Sequence, residues 1–313
     1  MRFIFLNTKL NRLHYKEVYV MRTIDLFSVQ EKLTKMDLLE AIKNAQGRTL
    51  LTELFTSKPA LLGDVSNMET ARAFGSDLLL LNDVDLSNLR FPGLENTFNC
   101  VDDLKVYVGC PVGIDLYMIH PDNKGWPGPE LSASIENLDK VVALGFDFIN
   151  LVADPVMGLS NEALLTHLME IPNTIKDQVV MISGRMNFAG LKASASQILT
   201  PQFIEDIAKT GIDILLIPTP GSAQGMDMSL GGELVKLASE KGLMTMSGIG
   251  SSQEGADLDT IRSLALNARM LGVDIHHLGD AGYVSGMATP ENIMTYSIVI
   301  KGKRHTYRKM ARR

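Results

Sequence analysis

Glu53 and Asp115 each stand near the end of a short apolar run, Thr49 to Glu53 and Val112 to Leu116, and are the acids whose setting suggests chemistry. Such carboxyl groups do one of two things: they move protons as general acid and base, or they hold a cation such as Mg²⁺. His277, in the run Ile275 to Leu278, adds an imidazole that titrates near neutral pH. Arg185, just past the run Val179 to Ser183, offers a planar fork for a carboxylate or phosphate. Asn82 and Asn150 stand in equivalent runs, where they orient a polar ligand, while Ser183 and Ser247 supply small hydroxyls. The same residues also have structural readings: Glu53 with Arg185 as an ion pair, the asparagines as ties to loops, the serines as small groups in crowded places.

Three Gly- and Ser-rich segments follow later apolar runs. They contain Gly221 and Ser222, then Gly248, Gly250 and Ser251, then Gly279, Asp280, Ala281 and Gly282. Backbone N–H groups in such turns can point together at an anion, so the clustering predicts a rim for a phosphate or carboxylate. Two other chemistries are excluded. No apolar run ends in the lysine a Schiff base needs. The two cysteines, Cys100 and Cys110, lie in neither a metal-binding nor a disulfide spacing and are expected to be reduced bystanders.

Positioning these residues requires a repeating scaffold, and the chain has a repeat. Gly-x-Asp before an apolar run occurs at Gly75/Asp77, Gly145/Asp147, Gly211/Asp213 and Gly272/Asp274, with variants at Gly47, Gly109 and Gly242. Glycine ends a helix and the run that follows is a buried strand. Strands are expected at Thr49 to Glu53, Leu78 to Asn82, Val112 to Leu116, Phe148 to Val152, Val179 to Ser183, Ile214 to Pro218, Leu243 to Ser247 and Ile275 to Leu278. Helix starts are marked by Ser66 with Glu69, Thr200-Pro201 and Thr289-Pro290. Eight strand-helix units predict an α/β fold, a single (βα)8 TIM barrel, with loop chemistry at the C-terminal ends of the strands. An open doubly wound sheet would carry a glycine-rich GxGxxG turn after its first strand, and none is present.

Residues 1–20 are expected to be an upstream extension without fixed structure. Residues 21–48 form an N-terminal helical segment, with an extra helix around Asp37 to Ile42 that plugs the barrel bottom, and residues 49–313 form the barrel with a basic helix end.

Side chains alternate along a strand, so the repeat also serves as a ruler. It puts Leu78, Phe148, Ile214 and Ile275 in one interior layer, then Leu80, Asn150, Leu216 and His277, then Asn82, Val152, Pro218 and Gly279. His277, not His276, is therefore the inward imidazole. On the odd strands the same alternation groups Glu53, Asp115, Ser183 and Ser247, with Arg185 one step higher. Unpaired buried charge costs several kcal/mol per ion, so this convergence reads as a site.

The composition, 45% hydrophobic and 21% charged, is that of a globular chain with enough apolar residues for a core, and no run approaches the roughly 20 apolar residues of a spanning helix. A cytoplasmic protein is expected, without membrane partners. The net charge of −6 hides a basic tail, in which residues 301–313 carry seven Lys or Arg and no acid. The tail reads as a solvated helix end set favourably against the helix dipole. An acidic body excludes a nucleic-acid binder, and a homo-oligomer is the general prior for exposed barrel helices.

The segments His276-His277-Leu278-Gly279-Asp280-Ala281-Gly282, Thr289-Pro290-Glu291-Asn292, Lys303 to Arg308 and Gly63-Asp64-Val65-Ser66-Asn67 resemble an uncharacterised bacterial TIM-barrel family. Its members bear phosphoenolpyruvate-phosphonomutase-like or haloacid-dehalogenase-like labels, and its fold is similar to the BtpA family. The resemblance runs from about Met21 and implies the barrel but no catalytic assignment. The phosphonomutase Lys-Cys-Gly run is absent, and Asp83-Val84-Asp85-Leu86-Ser87 is only a near match to the dehalogenase motif. The expected function is a lyase or isomerase acting on a small phosphorylated or carboxylated metabolite by acid/base or Mg²⁺-assisted chemistry. Glu53, Asp115, His277 and Arg185 would be catalytic. The alternative is a non-catalytic barrel that binds a metabolite or a partner, and a phosphatase is the remaining reading.

Overall fold

The structure is a computed structural model that describes residues 21–28, 33–95, 97–120, 125, 127–186, 188, 191–250, 252–279 and 286–311. Eight parallel strands close into a barrel in the order β1-β8-β7-β6-β5-β4-β3-β2. They are β1 Thr49–Phe55, β2 Leu78–Asn82, β3 Val112–Tyr117 and β4 Phe148–Val152, then β5 Val180–Gly184, β6 Ile214–Pro218, β7 Met244–Ile249 and β8 Ile275–Leu278. The expected TIM barrel is thus the observed fold, with each strand found within two residues of its expected bounds.

The principal helices are α1 Lys35–Ala45, α2 Asn67–Ala73, α3 Val101–Val108, α4 Ile135–Leu144, α5 Asn161–Glu170, α6 Pro201–Ile207, α7 Met228–Glu240, α8 Leu258–Leu271 and α9 Pro290–Met310. Their starts follow from local chemistry. Ser66 and Glu69 form the expected capping box of α2, and Thr200 and Thr289 cap α6 and α9 ahead of their first-turn prolines. The core has two layers. One lies between strands and helices, and the other fills the barrel with Leu51, Leu78, Leu80, Phe148, Val180, Ile182, Ile214, Leu216, Met246 and Ile275. Leu38, Ala41 and Ile42 of α1 belong to that interior cluster, so α1 closes the bottom of the barrel.

The Gly-x-Asp repeat has a physical cause. The Asp77 carboxylate accepts the Leu50 N–H at 2.8 Å, Asp147 that of Val112 at 2.9 Å, Asp213 that of Met181 at 2.8 Å and Asp274 that of Thr245 at 2.8 Å. Each aspartate's own N–H returns to the carbonyl of that same residue. A two-point clamp therefore sets the register of each even strand on the odd strand before it. Lysines answer three of these acids: Lys301 on Asp77, Lys105 on Asp147 and Lys35 on Asp213. Asp274 has the Thr245 hydroxyl instead, and burial pushes its carboxyl above the ordinary aspartate value.

One expectation about the tail is corrected here. It is not a solvated helix end. α9 breaks at Gly302 (φ 76°, ψ 159°), and the turn beyond folds back so that Lys301 and Lys309 lie buried at Asp77. A buried carboxylate beside two buried ammonium groups explains why the basic residues stay against the barrel.

Candidate active site

The barrel register decides which side chains meet. Residues paired across parallel strands point the same way. Leu51 pairs with Leu78 and His277, Phe148 with Gly113 and Val180, and both sets line the interior. By the same pairing Glu53, Asn82, Asp115, Tyr117, Asn150 and His277 face inward at the C-terminal end. They come from β8, β1, β2, β3 and β4, which are consecutive around the barrel, and so form an arc over half of its mouth.

Within the arc the polar groups are joined. His277 Nε2 lies 3.0 Å from one Glu53 carboxylate oxygen, and Asn82 Nδ2 donates to the other at 2.8 Å. The Tyr117 hydroxyl donates to Asn82 Oδ1 at 2.8 Å, which fixes the amide with its NH₂ toward Glu53. Asn150 Nδ2 donates to Asp115 Oδ1 at 2.7 Å. Asp115 lies close enough to Glu53 to act on its carboxyl as well. Burial pushes Glu53 up, but the bonds from His277, Asn82 and Asp115 outweigh it and hold its carboxyl below the ordinary glutamate value. Burial, followed by the Asp115 and Glu53 charges, drives the Tyr117 hydroxyl well above its usual range, so it stays a donor.

Opposite the arc, the upper interior positions of β5, β6 and β7 are Gly184, Pro218 and Gly248. A Cβ on Gly248 would stand 2.1 Å from Met186 Sδ and 3.1 Å from His277 Nδ1, so the Met186 side chain fills the space that glycine leaves beside the imidazole.

Several expected members are not brought in. Ser183 pairs with outward-facing Leu215 and its hydroxyl donates to Leu151 O at 3.1 Å; Ser247 pairs with outward-facing Ile217 and meets the Thr219 hydroxyl at 2.7 Å. Both face the helix layer. The reason is that β5 begins at Val180 and β7 at Met244, one residue later than the alternation assumed, and a slip of one residue turns every side chain to the other face. Arg185 follows the same parity. Its guanidinium donates to Asn161 Oδ1 at 2.9 Å and to Ala153 O, not to Glu53, and burial lowers its pKa to about 10. His276 is the outward imidazole, as expected: it bonds Gly47 O, and burial lowers its pKa to about 3.

The rim divides as well. The N–H of Gly221 donates to Met226 O and that of Ser222 to Thr219 O, which also takes the Ser222 hydroxyl. The Gly279 N–H donates to Ile249 O. These donors are engaged within the protein and do not face an anion. Gly248 and Gly250 border Met186, while Ser251, Asp280, Ala281 and Gly282 lie outside the described residues. The Asp85 carboxylate holds Ser87 in an exposed turn, and burial pushes the Cys110 thiol up to about 11, consistent with an inert thiol.

Among the described residues no group of three His, Cys, Asp or Glu side chains could hold a metal. Glu53 and Asp115, the acids expected to hold Mg²⁺, take donors from Asn82 and Asn150. No step below runs through a metal.

Among solved structures, an archaeal fructose 1,6-bisphosphate aldolase superposes with a TM-score of 0.51 at 13% identity over 82% of this chain and 95% of that one. A deoxyribose phosphate aldolase from Aeropyrum pernix gives 0.46 at 17% identity over 82% and 94%. At such identities the first likeness shows the barrel fold and no more. No curated protein matches the chain. No helix of the described residues is long and apolar enough to cross a membrane. The phosphonomutase-like, haloacid-dehalogenase-like and BtpA-like labels are not carried by these matches. The model of the domain of unknown function DUF7916 matches residues 27–313, and the chain belongs to that family.

Proposed function

We propose that the protein is an enzyme, a lyase or isomerase that moves protons on a small metabolite at the C-terminal mouth of the barrel. The observation that carries this reading is the approach of Glu53 to Asp115 and to His277 within one polar arc, read as two carboxyl groups that share one proton. Like charges in contact cannot both ionise, so such a pair presents a base and an acid at the same pH. Glu53 takes a proton from substrate, and His277 and Asn82 balance the change in its charge. Asp115 returns a proton to the neighbouring atom, while Asn150 holds its other oxygen. A phosphate or carboxylate on the same metabolite would lie toward the Gly248 and Gly250 loop, and the loop after β6 does not take part.

The test is a turnover screen of phosphosugars and phospho-carboxylates, run with Mg²⁺ and with EDTA. Glu53→Gln and Asp115→Asn each lower kcat by at least about 10²-fold and leave ligand stabilisation in place, and EDTA changes neither. Both variants turning over like wild type would end the acid/base reading. Stabilisation by a ligand with no product in the wild type would make the barrel a binding module.

A further inference from the structure

Among the described residues, two buried polar atoms of the arc have no hydrogen-bond partner. Asn150, 5% exposed, gives Nδ2 to Asp115 and leaves Oδ1, an acceptor, unmatched. His277, 1% exposed, places Nε2 on Glu53 and leaves Nδ1 unmatched. Nδ1 carries a lone pair in a neutral ring and a proton in a charged one. A hydroxyl both donates and accepts, so it satisfies Asn150 Oδ1 and either form of His277, whereas a phosphate or carboxylate oxygen would add repulsion at Asn150 Oδ1.

Charge points the same way. The donors acting on Glu53 come from His277, Asn82 and Asp115, with no lysine or arginine among them. The nearby guanidinium of Arg185 is turned to Asn161 and Ala153. The opposite wall of Gly184, Pro218 and Gly248 carries no charged group, and Met186, a flexible apolar side chain, lies beside His277 Nδ1 on the Gly248 side.

We infer that the part of the substrate meeting the dyad is an uncharged, hydroxyl-bearing carbon chain, as in a polyol or sugar, with Asn150 Oδ1 and His277 Nδ1 as the partners of its hydroxyls. The inference rests on the acid/base reading above and puts any anionic group of the substrate away from the reacting carbon.

The experiment uses the full chain labelled with ¹⁵N-histidine. The chain has six histidines, and the signals lost in His277→Asn assign the site. The probes are erythritol, ribitol and sorbitol against inorganic phosphate and malonate. At least one polyol is expected to move the His277 Nδ1 resonance saturably while the anions leave it in place, and Asn150→Leu weakens the polyol about tenfold or more. Should that variant fail to fold, the wild-type shifts alone decide. Saturable movement by phosphate or malonate, or none with any polyol, overturns the inference. The dyad is tested separately in the same spectra: Glu53→Gln alters the titration of the His277 signals without ligand, and an unaltered titration counts against the acid/base reading whatever the polyols do.

Discussion

At the scale of single residues, the site depends on which carboxyl group holds the proton. Glu53 accepts from His277, Asn82 and Asp115 and lies below its ordinary value. A carboxyl depressed in the fold contributes stability above the ordinary glutamate range and loses it as pH falls through the depressed value. Glu53→Gln should therefore lower stability by about 1–3 kcal/mol at neutral pH, with the gap to wild type closing as pH falls below the ordinary glutamate range. Chemical denaturation across that range checks it, and a gap independent of pH would mean that Glu53 is not the ionised partner. Glu53, Asn82, Asp115, Asn150 and His277 were legible from alternation alone. Tyr117 was not, because the strand was ended at Leu116, although a tyrosine two places beyond Asp115 keeps the inward parity. The unmatched atoms of Asn150 and His277 were also out of reach, since a missing partner is a property of three-dimensional neighbours.

At the scale of elements, the aspartate clamps explain both what was legible and what was not. Gly-x-Asp precedes every even strand, and there the interior residues followed from the sequence. The odd strands lack that marker. The run Val179, Val180, Met181, Ile182 that leads through β5 has apolar residues on both faces, so nothing in the pattern distinguishes inside from outside, and the outward parity of Ser183 and Arg185 is not legible there. The clamps also differ in energy. Asp77 sits with Lys301 and Lys309, all buried, so Asp77→Asn leaves ammonium groups uncompensated and should cost about 3–5 kcal/mol. Asp274 has no lysine, and its carboxyl is raised by burial. A raised carboxyl costs nothing below the ordinary aspartate range and burdens the fold as pH climbs through the interval up to its raised value. Asp274→Asn keeps an oxygen for the Thr245 N–H and should be at least as stable as wild type at neutral pH, an advantage that vanishes below about pH 3.5. Melts of the two variants at both pH values test the contrast, and similar losses in both would show that the clamp works by geometry alone.

At the scale of the whole molecule, segments far apart in sequence are tied to the lower end of the barrel. α1 plugs the interior with Leu38, Ala41 and Ile42. Behind the Gly302 break, the end of α9 returns to bury Thr306 and Lys309 against β2 and α2, where Thr306 bonds Ser297 at 2.9 Å. Lys301 and Lys309 of the basic tail are therefore part of the fold, and they do not contribute equally. Lys301 bonds Asp77 and Gly75 O. Lys309 is 3.9 Å from Asp77, makes no hydrogen bond and pushes the Lys301 ammonium down beyond what burial does. Replacing a buried, poorly bonded charge by an apolar group of similar length is commonly neutral or stabilising. Lys309→Met should hold or raise Tm by about 2–4 °C, whereas Lys301→Met should lower it by at least as much, because it strips Asp77 of its bonded partner. A calorimetric scan of both variants decides the matter: a loss in Lys309→Met as large as in Lys301→Met would show that Asp77 needs both charges and that the tail is held by the pair, not by one bond and apolar packing.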